Sequence, residues 1–345
     1  QAPNVTRDGW HAGTWERCLT VLTILQESTG LVRRGMSEEL PRDAIWIDLL
    51  SPTVEETAFV ESQKSVRVPS IEALSEIESS SRLAVEHDAI YLSIPAVAQG
   101  DTPDAHLSPT GFILTKSVLI TIRFAPLSTF DSVAGQVSRD KAFQSATAVF
   151  TALLGAMVDR GADVLERLGG ELDKVSRSVF RGDPSRPKHI VRSNNALRRA
   201  LTAVGTTGDR LALARDALLG VSRIAPFVLS LRKDWITPEM QAKLEAVQKD
   251  VLSLNDYESQ LSNKVQFLLD AILGFISIQQ NDLFKVLTIV SVVGIPPMLV
   301  AGIYGMNFKY MPELNWIGGY PFGLAMIALS ALIPLAWFKW RGWSS

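Results

Sequence analysis

Two stretches near the C-terminal end constrain this chain more than anything else in it: residues 286–308 and 314–338 contain no Asp, Glu, Lys or Arg. Each is longer than the roughly 20 apolar residues that carry a helix across ~30 Å of hydrocarbon. Aromatic residues stand at their ends, at Tyr304, Trp316, Tyr320, Trp337 and Trp340, where the rings of membrane helices collect at the interface. The competing reading is a pair of buried helices in a soluble core. Lys285 precedes the first run, and Lys339 and Arg341 follow the second. Cations on one side predict that both flanks are cytoplasmic and that the connection, about Asn307 to Gly319, lies outside.

Composition removes several other functions. A formal net charge of -2 argues against a nucleic-acid partner, since such modules carry a basic excess. Cys18 is the one cysteine, so there is no intramolecular disulfide framework and no thiolate metal site. His11, His87, His106 and His189 are scattered in no ligand spacing, which disfavours a zinc site of the usual nitrogen and sulfur kind. There is no GxSxG, no Walker loop and no Cys/His cluster, so an anchored hydrolase is not expected and the chain does not read as an enzyme. The opening QAPNVTRDGWHAGTWERC lacks a secretory signal pattern; residues 1–18 are expected to form a flexible arm.

Ahead of the apolar runs the pattern changes once. Residues 19–129 read as a cytoplasmic α/β domain: CLTVLTIL and AIWIDL have the density of buried strands, and SRLAVEHDAIYLSIPAV reads as a strand pair. GFILTKSVLITIR predicts a hairpin about Lys116 and Ser117. SPTVEETAFVES predicts a helix with Ser51 as N-cap and Pro52 at its first position. Residues 130–280 repeat apolar positions every three or four residues and read as a long-helix stalk. RGDPSRP interrupts the pattern, and Thr237-Pro238 opens a further helix capped by Thr237. The breaker after that is the cluster Gly294-Ile295-Pro296-Pro297. A helix running from Pro238 to Tyr304 is about 100 Å long at 1.5 Å per residue. That length suits a shaft carried from the cytoplasm through a membrane. The remaining divisions are a first transmembrane helix at 281–305, an outer loop at 306–319, a second transmembrane helix at 320–339 and a cytoplasmic tail at 340–345.

KVLTIVSVVGIPPMLVAGIYGMNFKYMPEL resembles the first membrane helix and signature loop of CorA-type divalent-cation channels. The signature stands here as Tyr304, Gly305, Met306 and Asn307, followed by Met311 to Leu314. The long helix and the α/β part extend the resemblance over nearly the whole chain. It implies a funnel-shaped homopentamer in the bacterial inner membrane, moving Mg2+, with Co2+ and Ni2+ as further cations. One hairpin cannot enclose a pore, which independently calls for an oligomer.

Helical spacing and the family's pore positions together nominate Asn281, Phe284, Leu287, Ser291, Ile295, Met298 and Gly302 as the wall. Steps of three, four or five residues keep these on one stripe, polar at both ends. Packing of apolar residues satisfies the middle of the stripe equally well. Mg2+ sheds water reluctantly and is commonly held through its waters. A ring of neutral oxygens from Asn307 and Gly305 suits that ion, whereas carboxylates would hold it too tightly to release. Ile295, Leu287 and Phe284 form apolar constrictions suited to a gate. Pro296 and Pro297 free the carbonyls of Val292 and Val293, either for ions or simply for a bend. Glu313, the loop's one acid, raises local cation concentration or is an ordinary surface acid.

The resemblance also implies closure by Mg2+ bound between neighbouring cytoplasmic domains. VEHDAIYL nominates Asp88; its expected partner falls on Ala246, with Asp250 one turn later. The double proline and the ending FKWRGWSS, which has fewer cations than is common in the family, are further departures. A ZntB-like Zn2+ transporter is the rival within the fold, with Met306 favouring Mg2+ and Co2+. A membrane-anchored signalling or scaffold protein is the rival from another class.

Overall fold

A computed structural model of the chain describes residues 22–26, 30–34, 39–76, 82–100, 102, 104–137, 139, 143, 145–180, 190–306, 309 and 311–342. The chain divides into two compact units: Gln1–Ser178 with Ala203–Gln266, and Val179–Thr202 with Phe267–Ser345.

The first unit is built on a seven-stranded sheet. Its strands are β1 (Leu22–Gln26), β2 (Gly30–Arg34), β3 (Ala44–Leu50), β4 (Leu83–Glu86), β5 (Ala89–Ala98), β6 (His106–Leu114) and β7 (Leu119–Arg123). Their order is β2-β1-β3-β7-β6-β5-β4. β3 and β7 pair in parallel, Trp46 opposite Leu119 through Leu50 opposite Arg123, and the other neighbours are antiparallel. β7, LITIR, is buried at every position, the continuous burial of a central strand covered on both faces. The β6–β7 hairpin turns at Lys116 and Ser117, as its sequence predicts.

Helix α1 (Val54–Lys64) corrects one expectation. Its N-cap is Thr53, whose hydroxyl accepts from the Glu56 amide at 3.2 Å while the Glu56 carboxylate accepts from the Thr53 amide at 2.8 Å. This reciprocal capping box overrides the Ser51-Pro52 signal. Ser51 instead follows the last residue of β3, with φ of 50° and its amide donating to the Arg123 carbonyl at 2.7 Å.

α1 and the short α2 (Ile71–Ser75) cover one face of the sheet, where Val60 and Leu74 join Ile24, Ile47, Ile113 and Ile120 in one core. The opposite face packs on α3 (Ser128–Val137), α4 (Ala146–Phe180), α5 (Ile190–Ser230) and α6 (Pro238–Tyr304), through Phe112, Phe130, Phe150, Val221, Ile224 and Leu244. The α/β region and the helices after it therefore share a core. Phe112 stacks on Phe130 and meets Phe150 edge-on, at centroid distances of 6.2 and 5.8 Å.

α4 and α6 run in the same direction in this unit: Thr151 meets Met240, and Asp173 binds Lys264 at 2.5 Å. At Gly169 the two helices pack tightly, and a Cβ there would stand 2.6 Å from the Tyr257 hydroxyl. α5 runs the other way, with Gly208 against Val265 and Arg215 beside Glu258.

α6 is one helix of 67 residues. Thr237 caps it, its hydroxyl accepting from the Met240 amide at 3.4 Å. The Gly294–Pro297 cluster does not end it. The second unit holds the later part of α6 and α7 (Gly319–Trp340). Both helices are long and apolar enough to cross a membrane, and almost none of their apolar windows is buried. The RGDPSRP interruption lies outside the described residues, between α4 and α5.

Candidate metal pathway

The signature residues sit where α6 stops. Tyr304 is its last residue; the Gly305 amide donates to the Ala301 carbonyl at 2.9 Å, and the Met306 amide to the Ile303 carbonyl at 3.2 Å. A helix C-terminus ends in carbonyls without intrahelical partners and carries the equivalent of roughly half a negative charge. The end of the first span thus presents neutral oxygens with a favourable field for a cation. Gly305 makes the corner possible: a Cβ there would lie 3.1 Å from the Ala301 carbonyl oxygen, and crowd it. Gly305 and Met306 are exposed. Asn307 lies outside the described residues.

The nominated stripe lies on one continuous helix. Phe284, Leu287, Ile295 and Met298 are 62–77% exposed, Asn281 and Gly302 are exposed, and Ser291 is half-buried. A Cβ at Gly302 would meet nothing within 4 Å. These large apolar residues therefore have no cover within their own unit. Leaving so much contiguous apolar surface unpaired marks an interaction surface. Pro296 and Pro297 sit inside the helix, so the Val292 and Val293 carbonyls lose their usual donors without a break in the element.

The second span begins one residue before its expected start and ends one beyond its expected end. Ahead of it a 3-10 turn, Pro312–Asn315, holds Glu313. Lys309 is exposed. Trp316 packs on Phe322 with centroids 5.8 Å apart, and at the other end Arg341 lies 5.1 Å over the Trp337 ring. A recess of about 450 Å³ separates the end of α6 from the start of α7, lined by Tyr304, Gly305, Trp316, Tyr320 and Gly323 among others. Glycines four apart, at Gly319 and Gly323, are its trace in the sequence.

The two acids nominated for regulation both lie at the surface. Asp88 sits in the turn after β4, fully exposed, with the Lys233 ammonium 3.9 Å from its carboxylate. Asp250 is exposed on α6. Among the described residues no group of three or more His, Cys, Asp or Glu is placed to hold a metal. Two other acids on or beside α6 are perturbed: burial pushes the Glu258 carboxyl up against the opposing pull of Arg215, and the hydrogen bond from Lys264 holds Asp173 down.

Fold and site together define a membrane protein with an α/β and helical body and a two-helix apolar end, the first helix of which stops at the Gly305 corner. Residues 42–340 match the family described as CorA-like Mg2+ transporter protein, and the chain belongs to that family. It is 30% identical over 301 residues to the magnesium transport protein CorA of Pasteurella multocida, covering 87% of this chain and 92% of that one. Its fold is similar to the complete structure of the CorA magnesium transporter from Methanocaldococcus jannaschii, with a TM-score of 0.72 at 20% identity over 94% of this chain and 99% of the other. The ZntB cytoplasmic domain from Vibrio parahaemolyticus is a more distant fold neighbour, with a TM-score of 0.50 at 11% identity over 75% of this chain and 98% of that one.

Proposed function

We propose that the chain is a divalent-cation channel of the inner membrane that moves hydrated Mg2+, with Co2+ and Ni2+ as secondary cargo. Copies assemble as a funnel-shaped homopentamer with both termini cytoplasmic. The first spans line the axis through Asn281, Phe284, Leu287, Ser291, Ile295, Met298 and Gly302. Tyr304, Gly305, Met306 and Asn307 form the outer collar. The observation that carries this reading is the pairing of an uncovered stripe on α6 with a carbonyl-rich corner at its outer end.

Chemistry follows from the donor type. Mg2+ gives up water slowly and binds well through its waters. Carbonyl and amide oxygens accept hydrogen bonds from those waters without the tight hold of a carboxylate. Below the collar, narrow apolar rings resist wetting when closed, which assigns gating to Ile295, Leu287 and Phe284. Glu313 gathers cations at the mouth. Asp88 and Asp250 are the regulatory candidates, bridging copies through Mg2+, with Lys233 competing for Asp88. Met306 supports Mg2+ and Co2+ over the Zn2+ of a ZntB-like transporter.

The deciding experiment is flux into proteoliposomes, with Mg2+, Zn2+, Co2+ and Ni2+ compared and a pH gradient as control. The expected result is Mg2+ entry without coupling to the pH gradient, lost in Asn307→Ala while the oligomer persists. Zn2+ entry driven by the pH gradient would favour the ZntB-like reading. Intact oligomers passing no divalent ion under any gradient would leave only a tether.

A further inference from the structure

The recess between the end of α6 and the start of α7 has a shape that the ion path does not explain. Ten residues line it, none of them charged, and seven have no polar side-chain atom. The other three are Tyr304, Trp316 and Tyr320. From Gly319 the recess reaches Ile327, eight residues along α7, or about 12 Å at 1.5 Å per residue. It is thus a slot running from the connecting loop into the apolar length of the second span. Trp316 forms one wall: its ring packs on Phe322 with centroids 5.8 Å apart and closes over Gly318, where a Cβ would stand 2.9 Å from the indole. Gly323 keeps the slot open, since even a Cβ there meets nothing within 4 Å.

Surroundings and size decide what fills it. In a bilayer the medium around α7 is hydrocarbon, and water would need two to four polar partners to stay in such a place. The face of α6 concerned is not the proposed pore wall. Ala301 and Tyr304 stand about 100° and 160° around the helix from Gly302, at 3.6 residues per turn. The volume of about 450 Å³ falls within the roughly 300–1,000 Å³ of ligand clefts. A neighbouring helix, ~10 Å across, would need roughly twice that volume over the same length, and a single side chain would leave most of the slot empty. At the loop end stand Trp316 and Tyr320, residue types whose apolar bodies and polar tips settle at headgroup level.

We infer that the recess binds one acyl chain of a phospholipid from the leaflet on the loop side, seated between α6 and α7 with its headgroup beside Trp316 and Tyr320. Tyr304 and Gly305 border the recess and also belong to the proposed collar, so the bound chain packs against the corner that ends the first span. The inference rests on the reading that both apolar helices cross a bilayer, and it does not require transport.

Two leucines of α7 make the test. Leu324 and Leu329 are 50% and 51% exposed, so incidental contact with lipid labels them alike. Leu324 lines the recess, whereas Leu329 stands about 140° away around the helix. The full-length protein is reconstituted with phosphatidylcholine carrying a diazirine on one acyl chain and photolysed, and the adducts are mapped by mass spectrometry. The expected result is an excess of adducts at Leu324 over Leu329 that disappears in Gly323→Leu, whose side chain occupies the slot. Gly323→Ala, a milder filling that also favours the helix, is expected to remove part of the excess. Equal labelling of the two leucines, or an excess unchanged in both variants, overturns the inference and leaves the membrane reading standing. Cys18 is the one native cysteine, so Leu324→Cys in a Cys18→Ser background reports on neighbouring copies. Disulfide formation between copies at that position overturns the inference in favour of a second copy of this chain. No adducts at either leucine removes the membrane reading, and this inference falls with it.

Discussion

Arg123 holds Asp48 across the parallel strand pair of the sheet, Nε at 3.1 Å and Nη2 at 2.8 Å from the same carboxylate oxygen. Both side chains are less than a tenth exposed. Asp48 also accepts from the Thr121 hydroxyl at 2.7 Å, which in turn accepts from Trp46 Nε1 at 3.0 Å. Removing Asp48 leaves the buried Arg123 with only the more distant Asp131 carboxylate, at 3.7 Å, and breaking a buried pair typically costs about 3–5 kcal/mol. Asp48→Ala is therefore expected to lower the thermal unfolding midpoint in detergent steeply. A variant that melts with the parent would show that Asp131 suffices as the partner of Arg123.

Gly169 and Tyr257 make a sharper test of packing between α4 and α6. Alanine is the better helix former by roughly 0.8–1 kcal/mol, yet its Cβ at position 169 would lie 2.6 Å from the Tyr257 hydroxyl. Gly169→Ala is expected to destabilise the parent and to stabilise a Tyr257→Phe background. Melting midpoints of the four proteins close the cycle. An equal effect in both backgrounds would place the clash elsewhere.

Glu258 is buried on α6, and burial raises its carboxyl pKa while Arg215 works against the rise. A folded-state pKa above the unfolded value means that ionisation costs stability. That cost is absent below the ordinary carboxylate range, appears as pH rises through it to the folded pKa, and stays constant above. Glu258→Gln is expected to raise the melting midpoint at neutral pH and to flatten its pH dependence in the mildly acidic window. A lowered midpoint at neutral pH would mean that the Arg215 contact outweighs desolvation.

Much of this was legible in the residues because the signals were physical extremes. Two uncharged runs longer than 20 residues admit few folds, and nothing between Glu239 and the Gly294–Pro297 cluster competes with α6. The cap of α1 was misread because two start signals overlap. Ser51-Pro52 is a common opening, but Thr53 and Glu56 cap each other, and reciprocity is hard to weigh from spacing. The core shared between the α/β region and the helices was hidden for another reason. Phe112 and Phe150 meet across 38 positions of chain, and periodicity reports a buried face without naming what covers it. The same limit applied to Asp88: the motif picked the acid, while the nearby Lys233 came from a distant loop.

The corner at Gly305 gives the most direct test of the pathway. A Cβ there would lie 3.1 Å from the Ala301 carbonyl and 3.5 Å from that of Gly302. An alanine must push the turn aside by tenths of an ångström, displacing the oxygens proposed to receive the hydrated ion. Positioned polar groups are sensitive to such shifts, and Gly305→Ala is expected to reduce Mg2+ flux by about tenfold while the oligomer forms normally. Gly294→Ala serves as the matched control. It lies inside the same helix, outside the stripe, where a Cβ meets nothing within 4 Å, and the change should stabilise the helix by roughly 0.5–1 kcal/mol with flux unchanged. Flux through proteoliposomes and oligomer size in detergent are read on both proteins. Equal flux through the two would mean that the ion does not depend on the turn at Gly305, and the collar would have to be sought elsewhere along α6.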